Sequence, residues 1–343
     1  MRASIIICTR NRSDSIAETL QALSQLEPSG SEILVVDSSE GLEKEKTEKL
    51  CRQYGARHIP ESRRGLNIAR NTGLANATGD IVAYTDDDCL PEKDWLANTL
   101  RNFSDPAVGA CTGRIVQHNR EGLQGGLFHG EFSALQPETT QHNTEDVSGF
   151  FEEVAGQDLG LERRVFSEKD IQFSVGFILS NVSNVFSKHM KSRAPVPYCI
   201  GCGASMTFRK ELFKKAGNFD ERFGSVAPLG ACDDIEMLYR VLKSGHRLVY
   251  EPTAVVLHKQ RFSVQEVFNT RYHYSFGNAT FMRENRRDAL MRIMFYGRLF
   301  QLMIKTAQYK LSGNKKLAQS FSSDLRGFLD GWAAHKKFYK AAK

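Results

Sequence analysis

The chain has no apolar run approaching the ~20 residues that a membrane-spanning helix needs. Its first apolar stretch, residues 4–8, is too short for a signal peptide and indicates a buried strand instead. The seven cysteines are an odd number scattered over 343 residues, which favours reduced thiols over a disulfide framework. We therefore expect a cytoplasmic protein, or one bound peripherally to the cytoplasmic face of a membrane.

Two nucleotide-binding signatures are also missing. The glycine-rich fingerprint of dinucleotide-binding folds does not follow the predicted first strand, which counts against an oxidoreductase. The sequence contains no phosphate-binding loop of the G-x-x-x-x-G-K type either. A nucleotide, if one is bound, must be held by other groups.

Positive charge is concentrated in the last quarter of the chain. Residues 261–343 carry 16 basic and 5 acidic side chains, a net charge of +11, whereas residues 1–260 carry 30 and 35. Such a tail favours an anionic partner, either a membrane surface or nucleic acid. Its apolar residues recur at helical spacing among the basic ones: Leu290, Ile293, Met294, Leu299, Leu302 and Met303 among Arg292, Arg298, Lys305 and Lys310.

Two interpretations of this amphipathic tail remain open. Residues 288–343 could dock on a membrane surface, or helices could pack on the rest of the protein or on a partner subunit, as in a homo-oligomer. Nucleic acid is the less expected partner, because the tail has no recognisable module and no organised set of base-stacking aromatics.

In the first 60 residues, segments with a strand pattern alternate with segments that have helical periodicity. A continuous apolar run at 4–8 predicts a buried strand, 32–37 predicts a second buried strand with an acid at its end, and 56–59 predicts a short third strand; the segments 16–26 and 42–54 predict helices. This alternation predicts a mostly parallel sheet flanked by helices, with right-handed crossovers. Polar groups that follow the strands should then meet at the carboxyl edge of the sheet.

The segment 81–91 stands out along the chain. A short apolar strand at 81–84 runs into Asp86, Asp87 and Asp88, and Pro91 should keep the strand from continuing. Adjacent carboxylates repel one another, and oxygen ligands of this kind suit Mg²⁺ or Mn²⁺. The alternative is a solvated acidic turn that caps a helix beginning near Glu92.

A basic stretch lies shortly before these acids. Residues 63–75 predict a helix that carries Arg63, Arg64 and Arg70 near its start and middle. Arginine supplies both the charge and the donors that a diphosphate requires, although a solvated basic helix face is the ordinary alternative.

Several segments, in order, carry a resemblance to a known family. These are residues 4–12, 33–39, 65–74, 85–88, 200–210, 217–223, 233–240 and 250–258. The chain resembles family 2 glycosyltransferases over residues 1 to about 260, with a gap between Thr112 and Tyr198. The resemblance implies a GT-A fold, here with a helical C-terminal extension, and a nucleotide-sugar donor.

The resemblance also implies a donor site. It places Thr9, Arg10, Arg12 and Asp37 around the nucleotide base and ribose, and an aspartate could accept from uracil N3–H. Arg70 takes the position of a basic donor-binding residue. Asp86 and Asp88 are the outer acids of the metal motif, with Asp88 as the direct ligand of Mn²⁺ or Mg²⁺ and Asp86 on ribose or a metal-bound water. His258 takes the position of a further metal ligand, against the alternative of a histidine that only ends a strand.

The acceptor side of the resemblance rests on Asp233 and Asp234. Asp234 aligns with the general base that removes a proton from the acceptor hydroxyl in an inverting single displacement. Asp233 could merely cap the following helix. On that helix Glu236 and Arg240 are spaced for an ion pair.

The expected organisation has three parts. Residues 1–111 form a nucleotide-sugar-binding half, 112–260 the acceptor-binding half of the same GT-A domain, and 261–343 a basic helical extension. The expected reaction moves a sugar, most simply from a UDP-sugar, to a hydroxyl of a glycan or lipid-linked acceptor in cell-surface polysaccharide synthesis.

Three alternative functions fit parts of the sequence: a nucleic-acid-binding protein that uses the tail, a metal-dependent nucleotidyltransferase and a catalytically silent sugar-nucleotide binder. The pair Cys199 and Cys202 has a metal-type spacing but no second pair nearby.

Overall fold

The computed structural model describes residues 1–27, 29–117, 163–166, 203–259 and 264–341. Within them one nine-stranded sheet has the order β3-β2-β1-β4-β8-β6-β9-β5, and β7 also pairs with β9. The strands are β1 (Ala3–Thr9), β2 (Glu32–Asp37), β3 (Arg57–Pro60), β4 (Ile81–Asp86), β5 (Cys89–Pro91), β6 (Val108–Gln117), β7 (Arg164–Phe166), β8 (Met206–Arg209) and β9 (Arg247–His258).

The α-helices of the described residues flank this sheet and form the C-terminal part. They are α1 (Ser13–Leu23), α2 (Gly41–Gln53), α3 (Leu66–Asn76), α4 (Trp95–Leu100), α5 (Leu212–Ala216), α6 (Asp233–Lys243), α7 (Val264–Glu284), α8 (Ala289–Leu311) and α9 (Lys315–Ala341). Short 3-10 helices lie at Arg101–Ser104 and Gly203–Ser205.

The predicted βαβ region is confirmed. Strands β3, β2, β1 and β4 are parallel neighbours, whereas β8 and β5 run antiparallel to their partners. Alternate residues of β1 face two apolar clusters, with Ile5 and Ile7 on one side of the sheet and Ile6 on the other. Burial on both faces explains why β1 reads as an unbroken apolar run.

Three sequence predictions need correction. Helix α3 begins at Leu66, so Arg63 and Arg64 precede it, because Gly65 has a φ of 151° and ends the extended segment before it. Pro91 does not lie outside the sheet; after a turn at 87–88 it ends β5, which pairs with β9. The helix expected near Glu92 is α4, which begins at Trp95.

The C-terminal helices pack on the sheet domain, as the packing interpretation of the tail predicted. Phe268, Phe281, Phe295 and Phe328 belong to the same apolar cluster as Ile6 and Tyr84. Ile293 and Met303, both in the predicted apolar pattern, instead lie on the exposed side of α8. No helix among the described residues is long and apolar enough to span a bilayer.

Gly277 sets how closely α7 approaches the segment before α6. A Cβ at this position would overlap the backbone oxygen and carbon of Ala231. Next to it, the Cys232 thiol lies 3.3 Å from Asn278 Oδ1, and Thr280 donates to the Leu229 carbonyl. The extension therefore fixes the segment that leads directly into Asp233 and Asp234.

Replacing Gly277 by alanine should destabilise the protein by about 3 kcal/mol, since backbone cannot move as easily as a side chain. The matched control is Gly55→Ala, which tests only a positive φ of 66° because nothing lies within 4 Å of its Cβ. Urea unfolding measures both free energies. A Gly277→Ala protein no less stable than Gly55→Ala would contradict the close approach.

Candidate active site

Three acidic residues lie at the carboxyl end of β4. Asp86 is the last residue of that strand, and Asp87 and Asp88 form the turn into β5. Antiparallel pairing of β5 with β9 places Cys89 opposite His258. As a result, His258 Nε2 lies 3.1 Å from Asp88 Oδ1, although 170 residues separate them in the chain.

This arrangement could hold a divalent cation. Ligand atoms of Asp86, Asp88, Cys89 and His258 all lie within 4.8 Å of one another. Two carboxylates and an imidazole fit Mn²⁺ well and Mg²⁺ acceptably, whereas a thiolate is too soft for either. The residues present therefore fit the metal that the sequence predicted, with Asp86, Asp88 and His258 as the oxygen and nitrogen donors.

The loop after β1 is bonded to the same acids. Thr9 donates to Asp87 Oδ2 at 2.7 Å, and Arg12 spans Asp87 and Asp88 with contacts of 2.6 and 2.7 Å. Asn11, between them, adopts a left-handed conformation with φ of 54°, which asparagine tolerates better than most residues. Its N–H donates to Ser39 Oγ, so the loops after β1 and β2 are joined.

The pKa values of Asp87 and Asp88 are shifted in opposite directions. Burial raises the pKa of Asp87 to about 7, although Arg12 and Thr9 oppose the change. Burial would also raise the pKa of Asp88, but hydrogen bonds from His258 and Arg12 outweigh it and lower that pKa to about 2. Asp88 is thus the member of the pair that stays ionised, as a direct metal ligand must.

Asp37 is the last residue of β2, but its side chain is not exposed at the carboxyl edge of the sheet. Its carboxylate is fully buried, accepting from the Ser39 N–H at 2.8 Å and lying 2.9 Å from His58 Nε2. His58, on β3, is therefore the side chain that covers Asp37. Arg10 turns toward Glu40, at 3.4 Å. The predicted roles of Asp37 and Arg10 at the base and ribose stay predictions.

Arg70 lies on α3, almost completely buried. It forms an ion pair with Asp233, donates to Asn67 Oδ1 at 3.1 Å and lies over the ring of Phe219 at 5.3 Å. Helix α3 reaches this depth because Gly73 packs directly against Ile6 of β1. The Arg70–Asp233 pair joins the parallel half of the sheet to the start of α6.

Asp233 and Asp234 open helix α6 in different environments. Asp233 is the first residue of the helix, after the N-cap residue Cys232, and its carboxylate pairs with Arg70, so the simple helix-cap interpretation of Asp233 is wrong. Asp234 accepts from the N–H groups of Gly203 at 3.1 Å and of its neighbour Ile235 at 2.8 Å. The predicted Glu236–Arg240 pair is present at 2.6 Å.

The Asp234 carboxyl has the electrostatics of a base that can work near neutral pH. Burial, and then the negative charge of Asp233, raise its pKa to about 6, against a smaller opposing effect of Arg70. The Arg70 charge also acts on Asp86, whose own pKa is raised chiefly by burial. The charge of the buried Arg70 thus acts both on the metal-capable acid Asp86 and on Asp234.

Sequence reasoning missed three contributors to this site. Sequence patterns assign no role to Asp87 or His58, and for Asp233 they indicate only a helix cap. Each of them contacts a partner at least 21 residues away in the chain. Asp87 contacts Arg12 and Thr9, His58 contacts Asp37, and Asp233 contacts Arg70. Cys199 and Cys202 lie outside the described residues.

Comparison with known proteins bears directly on this arrangement. Residues 4–155 match the model of Glycosyl transferase family 2. The matched segment is a little under half of the chain. The chain is 26% identical over 265 residues to the pre-mycofactocin glycosyltransferase of Mycobacterium tuberculosis, covering 77% of this chain and 44% of that protein. The chain therefore spans less than half the length of that relative.

Two further likenesses extend beyond the matched segment. The glucosyl-dolichyl phosphate glucuronosyltransferase of Haloferax volcanii is 23% identical over 270 residues, 76% of this chain and 69% of that protein. Among solved structures, a mannosyltransferase from Pyrobaculum calidifontis, in complex with GDP-Man and Mn²⁺, superimposes with a TM-score of 0.56 at 19% identity. It covers 99% of this chain and 88% of its own, and the GT-A fold with a helical C-terminal part is thereby confirmed.

Proposed function

We propose that this chain is a family 2 glycosyltransferase that transfers a sugar from a nucleoside-diphosphate sugar to a hydroxyl group, with inversion at the anomeric carbon. The observation that carries the proposal is that a metal-capable set, Asp86, Asp88 and His258, shares its electrostatic neighbours Arg70 and Asp233 with a carboxylate suited to general base catalysis, Asp234. Arg70 connects the two electrostatically.

A divalent cation held by Asp86, Asp88 and His258 would neutralise charge on the diphosphate leaving group. Side chains of the protein orient the metal-capable acids and keep Asp88 ionised. Thr9 and Arg12 fix the orientation of the acidic turn through Asp87, and Asp88 stays ionised at neutral pH. Arg12 is about half exposed, so its guanidinium can also reach a phosphate oxygen without leaving the turn.

Asp234 is proposed to take the proton from the acceptor hydroxyl as that oxygen attacks the anomeric carbon. The N–H of Gly203 holds one carboxylate oxygen, which leaves the group oriented rather than free to rotate. Asp233 is already neutralised by Arg70, so the two adjacent acids have separate tasks. A single displacement of this kind requires no covalent sugar intermediate.

The acceptor is proposed to be a glycan or a lipid-linked glycan of cell-surface polysaccharide synthesis. Support comes from the relative named for glucosyl-dolichyl phosphate, which matches across most of this chain. For the donor, UDP-sugars are the first choice, and GDP-sugars are the alternative because the structural neighbour was solved with GDP-Man.

Calorimetric titration of UDP, GDP and dTDP, each with Mn²⁺ and with EDTA, tests the donor site. We expect one nucleotide to bind in the micromolar range with Mn²⁺ and at least about tenfold more weakly with EDTA. The preferred nucleotide then defines which sugar donors to test for turnover. Absence of binding by all three would overturn the proposal, and binding without any turnover would make the protein a sugar-nucleotide binder.

The role of Asp234 also predicts a pH profile. A base must be deprotonated to act, and the pKa of Asp234 is raised to about 6, so kcat should fall about tenfold per pH unit below that value. Rates at saturating donor and Mn²⁺ between pH 4.5 and 8, estimated to bracket the shifted pKa, measure it. A rate still flat down to about pH 4.5 would exclude a base with a raised pKa.

A further inference from the structure

Helix α8 has two apolar faces, and only one of them is covered. Met291, Met294, Phe295 and Leu302 are buried against the rest of the protein. On the opposite side a second apolar row is open to solvent. Its members, at spacings of three, four, three and eight, are Ile293, Tyr296, Phe300, Met303 and Leu311, exposed by 36, 58, 48, 54 and 89%.

This exposed row runs along one side of the helix for about 27 Å, at 1.5 Å per residue. Scattered exposed apolar residues need no explanation, but a continuous row that includes two aromatic rings marks an interaction surface. Arg292 and Lys310 are exposed near its two ends. Helix α8 contains no acidic residue, and although its Arg298 pairs with Asp324, the exposed Arg292 and Lys310 make the surface apolar and positive together.

An arginine-rich cavity adjoins the N-terminal end of the row. It has a volume of about 340 Å³, and Arg283, Arg286, Arg287, Arg292, Phe295 and Tyr296 contribute to its lining. Arg283 stacks on Phe295 and Trp332, at 5.7 and 5.8 Å, and its Nε is buried without a hydrogen-bond partner among the described residues. The cavity thus presents clustered guanidinium groups beside exposed aromatic side chains.

The two acids closest in sequence to the arginines of this cavity are engaged with other groups. Asp288 accepts from Tyr239 at 2.8 Å and lies 3.6 Å from Lys243. Glu284 is bonded to His335 at 3.0 Å and to Arg222 at 3.0 Å. They therefore do little to neutralise the arginines, which keep their charge for an external anionic group.

We infer that the exposed face of α8, with the adjoining arginine cavity, docks on the surface of an anionic lipid bilayer. The row of Ile293, Tyr296, Phe300, Met303 and Leu311 enters the headgroup boundary, and the arginines meet lipid phosphates. Charge complementarity selects this occupant over a second copy of the chain, because two copies meeting through this face would bring like charges together. Docking would carry the proposed transferase to a lipid-linked acceptor, yet it can be tested without any donor or acceptor.

The test is co-sedimentation of the full chain with vesicles of phosphatidylcholine alone and of phosphatidylcholine with phosphatidylglycerol. Deleting residues 288–343 is unsuitable, because the buried face of α8 belongs to the core. The apolar row is tested by the double variant Tyr296→Ser, Phe300→Ser, and its control is Leu329→Ser, an apolar side chain 41% exposed on α9. The charge is tested by Arg286→Gln, Arg287→Gln, and its control is Arg326→Gln, also on α9.

We expect the unmodified chain and both controls to bind anionic vesicles, and each double variant to lose about tenfold or more in partition coefficient. Unchanged thermal unfolding midpoints in the double variants show that they are folded. No binding of the unmodified chain, or equal binding by all variants, would overturn the inference. So would a concentration-dependent dimer that the Tyr296→Ser, Phe300→Ser variant abolishes. Nucleotide binding and vesicle binding are separate readouts, so failure of one leaves the other interpretable.

Discussion

Changing Asp234 to asparagine should lower kcat by about 10³-fold while nucleotide affinity changes by less than about threefold. Asparagine keeps one oxygen that can accept from Gly203 and loses only the acceptor for the adjacent Ile235 N–H, so the start of helix α6 should hold its shape. What is lost is the ability to take a proton from the acceptor. Steady-state kinetics and calorimetry on the same preparation separate the two effects.

The matched control for Asp234→Asn is the same substitution at the neighbouring residue, Asp233→Asn. In Asp233→Asn the buried Arg70 loses its ion-pair partner, and an uncompensated buried charge commonly costs about 3–5 kcal/mol of stability. We therefore expect Asp233→Asn to lose thermal stability and Asp234→Asn to keep it. If Asp234→Asn retained activity, or lost donor affinity as strongly as kcat, the base would have to be sought elsewhere.

Changing Asp88 to alanine should abolish the dependence of nucleotide binding on Mn²⁺. Asp88 contacts both Arg12 and His258, and it is the acid with the lowered pKa. Loss of an outer partner of a metal ligand alone costs about 10–100-fold in affinity, so loss of a direct ligand should cost at least about 100-fold. Titrating the preferred nucleotide with and without Mn²⁺ measures the change.

Asp14→Ala provides the comparison for Asp88→Ala. Asp14 lies in the first turn of α1, close in sequence to Arg12, but it is exposed and forms no part of the metal-capable set. It should leave Mn²⁺-dependent binding intact. A result in which Asp88→Ala behaves like Asp14→Ala would place the metal ligand at another residue.

Much of the sheet and part of the site followed from local sequence patterns. The unbroken apolar runs of β1, β2 and β4 predicted buried parallel strands, since strands covered on both faces have no polar alternation. Acids and polar loops after those strands predicted a site at the carboxyl edge. The family resemblance then supplied roles that the patterns could not, including those of Asp234 and His258.

The three-part division of the chain into 1–111, 112–260 and 261–343 is less firmly supported. Strand β6 runs through the first of these boundaries, from Val108 to Gln117, so the sheet has no interruption there. The second boundary falls next to α7, which packs closely on the segment before α6. The division remains a prediction about function rather than a description of separate bodies.

The sequence by itself determined the alternation of strands and helices in the first 60 residues, the acidic turn and the basic, amphipathic character of the tail, because each depends on neighbours within a few residues. Only the tertiary structure decided which acid pairs with which cation. Arg70 meets Asp233 across 163 residues, and His258 meets Asp88 across 170, because β and α elements distant in the chain pack side by side. Only the tertiary structure could show that α8 buries one apolar face and exposes the other, since apolar residues recur at the same helical spacing on either face.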